Sequence, residues 1–146
     1  MIDWVHATCR ATVAGAFLAA AGGAWAQAPA PAKPDGVAAG RGEVTFARYC
    51  AACHGRAGKA DGPLATELRT TVPDLTRIAE RGGGKFEFEK VARRIDGREA
   101  VRGHGSADMP SWGEAFQKTS GTGAASVNEA VAQLVHFIWT KQAPAR

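Results

Sequence analysis

Cys50, Ala51, Ala52, Cys53 and His54 form a C-x-x-C-H run, the cluster whose residue types and spacing most directly specify a chemistry. On a helical turn, positions three apart share a face, so two thiols point the same way while the next residue aims an imidazole beside them. Covalent attachment of a haem needs that arrangement: two thioethers along one porphyrin edge and a nitrogen for the iron. Two other chemistries use paired cysteines. A thioredoxin-like dithiol wants a strand, helix and strand around it, and no convincing β-branched strand is present. A zinc site wants four ligands, but downstream there are His104 and His136 and no second cysteine pair.

An iron held by His54 needs a sixth ligand or an open position. The chain has two methionines, Met1 and Met109, and Met109 lies 55 residues beyond His54, far enough for the chain to wrap a porphyrin edge and return on the other face. A lone methionine is often a gap-filler in a core. Met109 instead sits in Asp108-Met109-Pro110-Ser111-Trp112-Gly113, with no apolar repeat around it, so axial ligation is the better reading. His104, in Arg102-Gly103-His104-Gly105, is the rival, and a bis-histidine iron would have a lower potential. His136 falls in the terminal helix and reads as a packing or surface residue.

The elements that must position these groups read as helices. Ser126 to Glu129 is a capping box, after which Ala130, Val131, Leu134, Val135 and Ile138 come at helical spacing until Lys141 and Pro144 close the element. Phe88, Val91, Ala92 and Ile95 repeat at the same period with Gly97 as a stop. Pro63 to Arg69 is expected to add a short helix. Segments rich in Gly, Pro and Thr between these are expected as loops.

The chain is 146 residues long with 18 Lys and Arg, 14 Asp and Glu and a net charge of +4, which bounds it to one small domain with extensions. An apolar fraction of 45% excludes disorder as the main state, and the absence of any long basic run argues against a nucleic-acid partner. Residues 1–26 read as a secretory signal peptide: Arg10 closes a short n-region, small residues run from Ala11 to Ala24, and Ala24-Trp25-Ala26 supplies the cleavage site. The alternative is an uncleaved anchor, since no charge lies between Arg10 and Lys33, but Ala, Gly, Pro29 and Pro31 make a poor spanning helix. Cys9 would leave with the signal. Residues 27–39 read as a Pro/Ala linker without core residues, 40–142 as the folded domain and 143–146 as a tail. Export places the cysteine pair in an oxidising compartment, where thioether formation explains how it escapes becoming a disulfide.

On these residues the chain resembles the class I cytochromes c, and among them the small bacterial periplasmic monohaem type. Gly42 with Phe46 ahead of the haem motif is similar to the family's first helix, and Leu134 with Phe137 to the terminal helix that crosses it. Pro73-Asp74-Leu75-Thr76 resembles the segment whose proline carbonyl accepts the proximal imidazole's free N-H, and Met109-Pro110-x-Trp112-Gly113 the distal segment. The resemblance implies an all-α fold of about three main helices, with loops wrapped around one covalently bound haem c. Its iron would be held by His54 and Met109, with Cys50 and Cys53 as the thioether sites and Pro73 behind His54. Trp112 or Arg98 would contact a propionate, or else be a packing residue or a solvated charge.

A low-spin iron with both axial positions filled implies one-electron transfer rather than catalysis. The expected protein is thus a periplasmic electron carrier, monomeric and not membrane-inserted once the signal is cleaved. Its partners would be a donor dehydrogenase or reductase and an acceptor oxidase or reductase. With two propionates added, the charge becomes roughly +2 to +3, enough to steer weakly toward acidic partners. Arg56 and Lys59 are candidate rim charges. The alternatives are a permanent cytochrome subunit of a dehydrogenase or reductase, or a ligand-binding or peroxidase-like haem protein with His104 as distal acid or base.

Overall fold

A computed structural model describes residues 31–97, 109–120 and 124–144. Among them there are helices and turns and no strand. The expected signal peptide, the first four residues of the Pro/Ala stretch, Arg98, His104 and the end of the tail lie outside the described residues.

The first helix, α1 (Gly36–Tyr49), begins at Asp35, whose carboxylate accepts the Ala38 N-H at 2.8 Å and satisfies one of the donors that a helix start leaves open. The helix thus starts four residues ahead of the expected domain boundary at residue 40. The last four residues of the 27–39 stretch form the helix's first turn, and Ala39 is buried in the core. Cys50 closes α1 by donating its N-H to Phe46 O and at once caps α2 (Ala51–His54), so the haem motif continues directly from the first helix. Gly55, at φ +74°, ends it in a conformation that side chains rarely adopt.

Beyond α2 the chain folds back over the motif. Residues 63–69, expected as a short helix, form turns instead. Gly62 is pressed against the carbonyls of Ala51 and Ala52, and Leu64 N-H donates to Ala52 O at 2.9 Å, so these amides serve the haem motif rather than a helix of their own. A 3-10 turn at Leu75–Arg77 then leads into α3 (Ile78–Arg81).

α4 (Phe88–Asp96) buries Phe88, Ala92 and Ile95 at the spacing the sequence shows, and Gly97 caps it at φ +66°. α5 (Trp112–Ser120) was not expected as a helix; its start is tied to the end of α4 by Ser111 Oγ donating to Asp96 O at 2.9 Å. α6 (Ala124–Thr140) begins two residues ahead of the expected cap, because Ala124 and Ala125 are good helix formers that extend it N-terminally.

One core joins these helices, dominated by α1 against α6. Phe46, Val127, Val131, Leu134 and Val135 are each no more than 2% exposed. The two helices approach closely because Gly42 has no side chain: a Cβ there would lie 2.5 Å from the Gln133 carbonyl carbon and 3.0 Å from Leu134 N. Phe46 and Phe137 fill the space beside the crossing, ring centroids 5.0 Å apart. No described helix is long and apolar enough to cross a membrane.

Candidate functional site

A cavity of about 370 Å³ lies between the α1/α2 junction, the Pro73 to Lys85 segment, α4 and the end of α6. Phe46, Leu75, Ile78, Val91 and Ile138 give it an apolar body. The volume is that of a site for a sizeable organic group, and the apolar lining would favour a flat hydrophobic one.

Cys50 and His54 line this cavity. Backbone bonds from Cys53 N-H and His54 N-H to Cys50 O, at 3.2 and 2.9 Å, wind the motif into one turn and set the two thiols on adjacent positions of a helical face. Both cysteines are half-buried and free, with no disulfide between them. Burial pushes the Cys50 thiol up to about 12, with Cys53 beside it adding to the shift. A thioether at that position has no charge to desolvate. Cys53 is not part of the cavity lining and stands one turn further along the motif.

Burial lowers the His54 pKa, while its hydrogen bond to Pro73 works in the other direction. The ring is therefore held neutral. Nδ1 lies 3.4 Å from Pro73 O, and since a carbonyl can only accept, Nδ1 carries the proton and Nε2 keeps its lone pair for a metal. Pro73 itself is fixed through its neighbours in the chain. Asp74 Oδ1 accepts Thr76 N-H at 2.8 Å and Thr76 Oγ1-H at 2.7 Å, and Leu75 N-H donates to Gly58 O at 2.7 Å.

Met109 also borders the cavity and is 39% exposed. Its thioether is a soft, uncharged donor with no hydrogen-bond demand of its own. Trp112 is placed elsewhere: its ring packs 5.6 Å from Tyr49 and 5.7 Å from Phe116, and it does not line the cavity. His136 is a packing residue, 4.9 Å from the Phe88 ring, with Nδ1 accepting the Asp35 N-H at 3.0 Å.

One side of the cavity was not foreseen from the sequence. Arg81, Lys85, Lys90 and Arg94 line it together with a single acid, Glu87. Glu87 pairs with Lys90 at 2.9 Å, and that hydrogen bond holds its carboxyl below the usual range. The remaining positive charge suits a ligand bearing carboxylates. The signal was present in the i, i+4 spacing of Lys90 and Arg94, but the turn at Gly82 to Gly84 that brings Arg81 and Lys85 alongside them was not legible.

The donor set thus comprises two thiols a turn apart, a neutral imidazole with a free nitrogen, a thioether, an apolar body and a cationic wall. It fits a haem with its two carboxylates. Among the described residues no three His, Cys, Asp or Glu side chains gather as ligands for a bare metal ion. Comparison with curated proteins and with solved structures finds no match. The family model for cytochrome c matches residues 39–142, which runs from within the first turn of α1 past the end of α6 and covers most of the chain. With its helical fold and its C-x-x-C-H motif at the cavity, the chain belongs to the cytochrome c family, whose members carry covalently attached haem c and transfer electrons.

Proposed function

We propose that this cytochrome is an exported one-electron carrier whose haem iron takes His54 and Met109 as its axial ligands. The observation that carries the reading is that His54, its Nδ1 turned to Pro73 O, and Met109 border the same apolar cavity. When bound, haem c supplies an iron that cycles between ferric and ferrous states.

Each residue has a separate task around that group. Cys50 and Cys53 fix its edge through thioethers, which keeps the cofactor in place in both redox states. His54 donates Nδ1-H to Pro73 and presents Nε2, so its ring cannot turn without losing a hydrogen bond. Met109 would supply its thioether as a second ligand, of a kind that favours the reduced state. Phe46, Leu75, Ile78, Val91 and Ile138 exclude water and raise the cost of the extra positive charge on oxidised iron. Arg81, Lys85, Lys90 and Arg94 line the cavity and would pair with the haem carboxylates, beside the expected candidates Trp112 and Arg98.

With His54 and Met109 both held as ligands, a substrate would not reach the iron, and partners would exchange electrons by docking rather than by coordination. A donor dehydrogenase or reductase and an acceptor oxidase or reductase in the periplasm are the proposed partners. The test is the optical spectrum of the haem-loaded protein in both oxidation states. A weak near-infrared sulfur-to-iron band in the ferric protein that is lost in Met109→Ala is expected. Covalent haem without that band refutes the His/Met assignment.

A further inference from the structure

We propose that Gln142 is a positioning residue that sets the reduction potential by holding the segment behind His54. The proposal rests on His54 being an iron ligand, the reading given under the proposed function.

Gln142 lies two residues beyond the end of α6 and is half-buried. Its Oε1 accepts the Ala79 N-H at 2.9 Å, and its Nε2 donates to Leu75 O at 2.9 Å and to Ile138 O at 2.8 Å. Both amide hydrogens and the oxygen are thus engaged, and all three partners are main-chain atoms. The amide can face one way only, because reversal would set an NH₂ against an N-H and an oxygen against two carbonyls. The next residue adds a fourth bond, Ala143 N-H to Thr76 O at 2.9 Å.

These bonds join the last turn of α6, which is anchored in the core, to both ends of the 75–79 turn. That turn carries Leu75 and Ile78 into the cavity wall and begins two residues after Pro73. From its other side it is held by Leu75 N-H on Gly58 O. The carbonyl of Pro73 therefore meets His54 at a distance fixed between two clamps, of which Gln142 is the larger. The His54 contact, at 3.4 Å, is long for a hydrogen bond, so a small drift of the segment would end it.

A donated Nδ1-H makes the imidazole a more basic ligand and favours ferric iron. Releasing the clamp weakens that donation and favours the ferrous state. No other amino acid supplies the same set: glutamate keeps an acceptor for Ala79 but presents oxygen to the Leu75 and Ile138 carbonyls, and alanine supplies nothing.

The experiment compares the haem-loaded wild type with Gln142→Ala and Gln142→Glu by potentiometric titration, alongside NMR exchange of the His54 ring N-H in the ferrous protein. The expected result is a two- to tenfold shift toward ferrous iron in both variants, about 20–60 mV for a one-electron couple, with faster N-H exchange. In Gln142→Glu the difference from wild type should shrink at acid pH, where the protonated glutamate regains one donor. A variant that is less stable yet matches the wild type in potential and exchange overturns the inference and leaves the functional reading standing. A wild type with no coordinated imidazole overturns both. Should Gln142→Ala fail to fold, the Gln142→Glu comparison decides alone.

Discussion

Replacing Gly42 by alanine tests the contact on which the fold depends. The new Cβ would overlap the Gln133 carbonyl oxygen and stand 2.5 Å from its carbonyl carbon, where ordinary contact begins near 3.4 Å, so α1 and α6 must part by more than about 1 Å. The obstruction is backbone, and no side chain can swing aside to relieve it. A gap of that size forfeits about half or more of the dispersion energy between the facing atoms. Overpacking costs about 1–3 kcal/mol, and a backbone clash belongs at the upper end. Alanine in a helix returns about 1 kcal/mol relative to glycine. The net loss is about 2 kcal/mol, or roughly 8–16 °C in melting temperature for a domain of this size. Gly40, on the same helix, is the control: nothing lies within 4 Å of its Cβ position, so Gly40→Ala should gain up to about 1 kcal/mol from propensity alone. Urea unfolding followed by far-ultraviolet circular dichroism measures both. A Gly42→Ala protein as stable as the wild type would refute the reasoning, because the close crossing of α1 and α6 would then not exist.

Other perturbations test the site and its surroundings. Asp74 has its carboxyl held below the usual range, chiefly by the Thr76 hydroxyl, so it contributes stability that is complete above about pH 4 and lost as pH falls through its lowered value. Asp74→Ala should cost about 0.5–1 kcal/mol at neutral pH, and urea midpoints of variant and wild type should converge as pH falls through that lowered value. Gly97→Ala should destabilise by about 1–3 kcal/mol in the same assay, since a side chain at φ +66° would also lie 2.9 Å from Ser111 Cα. Arg81→Gln with Arg94→Gln removes two positive charges from the cavity wall and should lower the reduction potential by roughly 20–60 mV per charge, a two- to tenfold change in the one-electron equilibrium. An unchanged potential would place the carboxylates elsewhere. Mass spectrometry of the protein secreted by its native host should give an N-terminus at Gln27 and the mass of one covalent haem.

Much of the framework is legible in the sequence because the physics is local or demands a special residue. Gly42 with Phe46 on one helix and Leu134 with Phe137 on the other are legible through the resemblance to the cytochromes c, and the close crossing they form is one that needs a glycine. Phe88, Val91, Ala92 and Ile95 show a helical period that a stop at Gly97 completes. α5 gives no such signal: it offers two large apolar anchors, Trp112 and Phe116, one turn apart, and then Gln117, Lys118, Thr119 and Ser120, too short a repeat to read. The beginning of α1 is hidden by its composition, since Asp35-Gly36 reads as a turn and Ala39 is a small core residue. Within the site, the C-x-x-C-H motif is contiguous and legible directly. The cationic wall is assembled from two segments by the Gly82 to Gly84 turn, and charged residues look solvent-bound in a sequence. Gln142 lies past the last apolar repeat, at the final position of the expected domain, and carries no signal of its own; its role exists only where three main-chain partners converge on it.

The pairing of α1 with α6 has a further consequence for the order in which the molecule is made. The Asp35 to His136 hydrogen bond joins residues 101 apart in sequence, so closing the loop between them costs on the order of 4 kcal/mol in chain entropy before any contact across it is rewarded. A growing chain that already holds α1 and the haem motif lacks the main partner of α1, and the Phe137 ring beside Phe46, until α6 exists. Such non-local closure makes for slow folding. Until it happens, Cys50 and Cys53 remain on an open turn at the end of an unpartnered helix, so the architecture itself keeps a window in which both thiols are reachable and shuts it with the final helix.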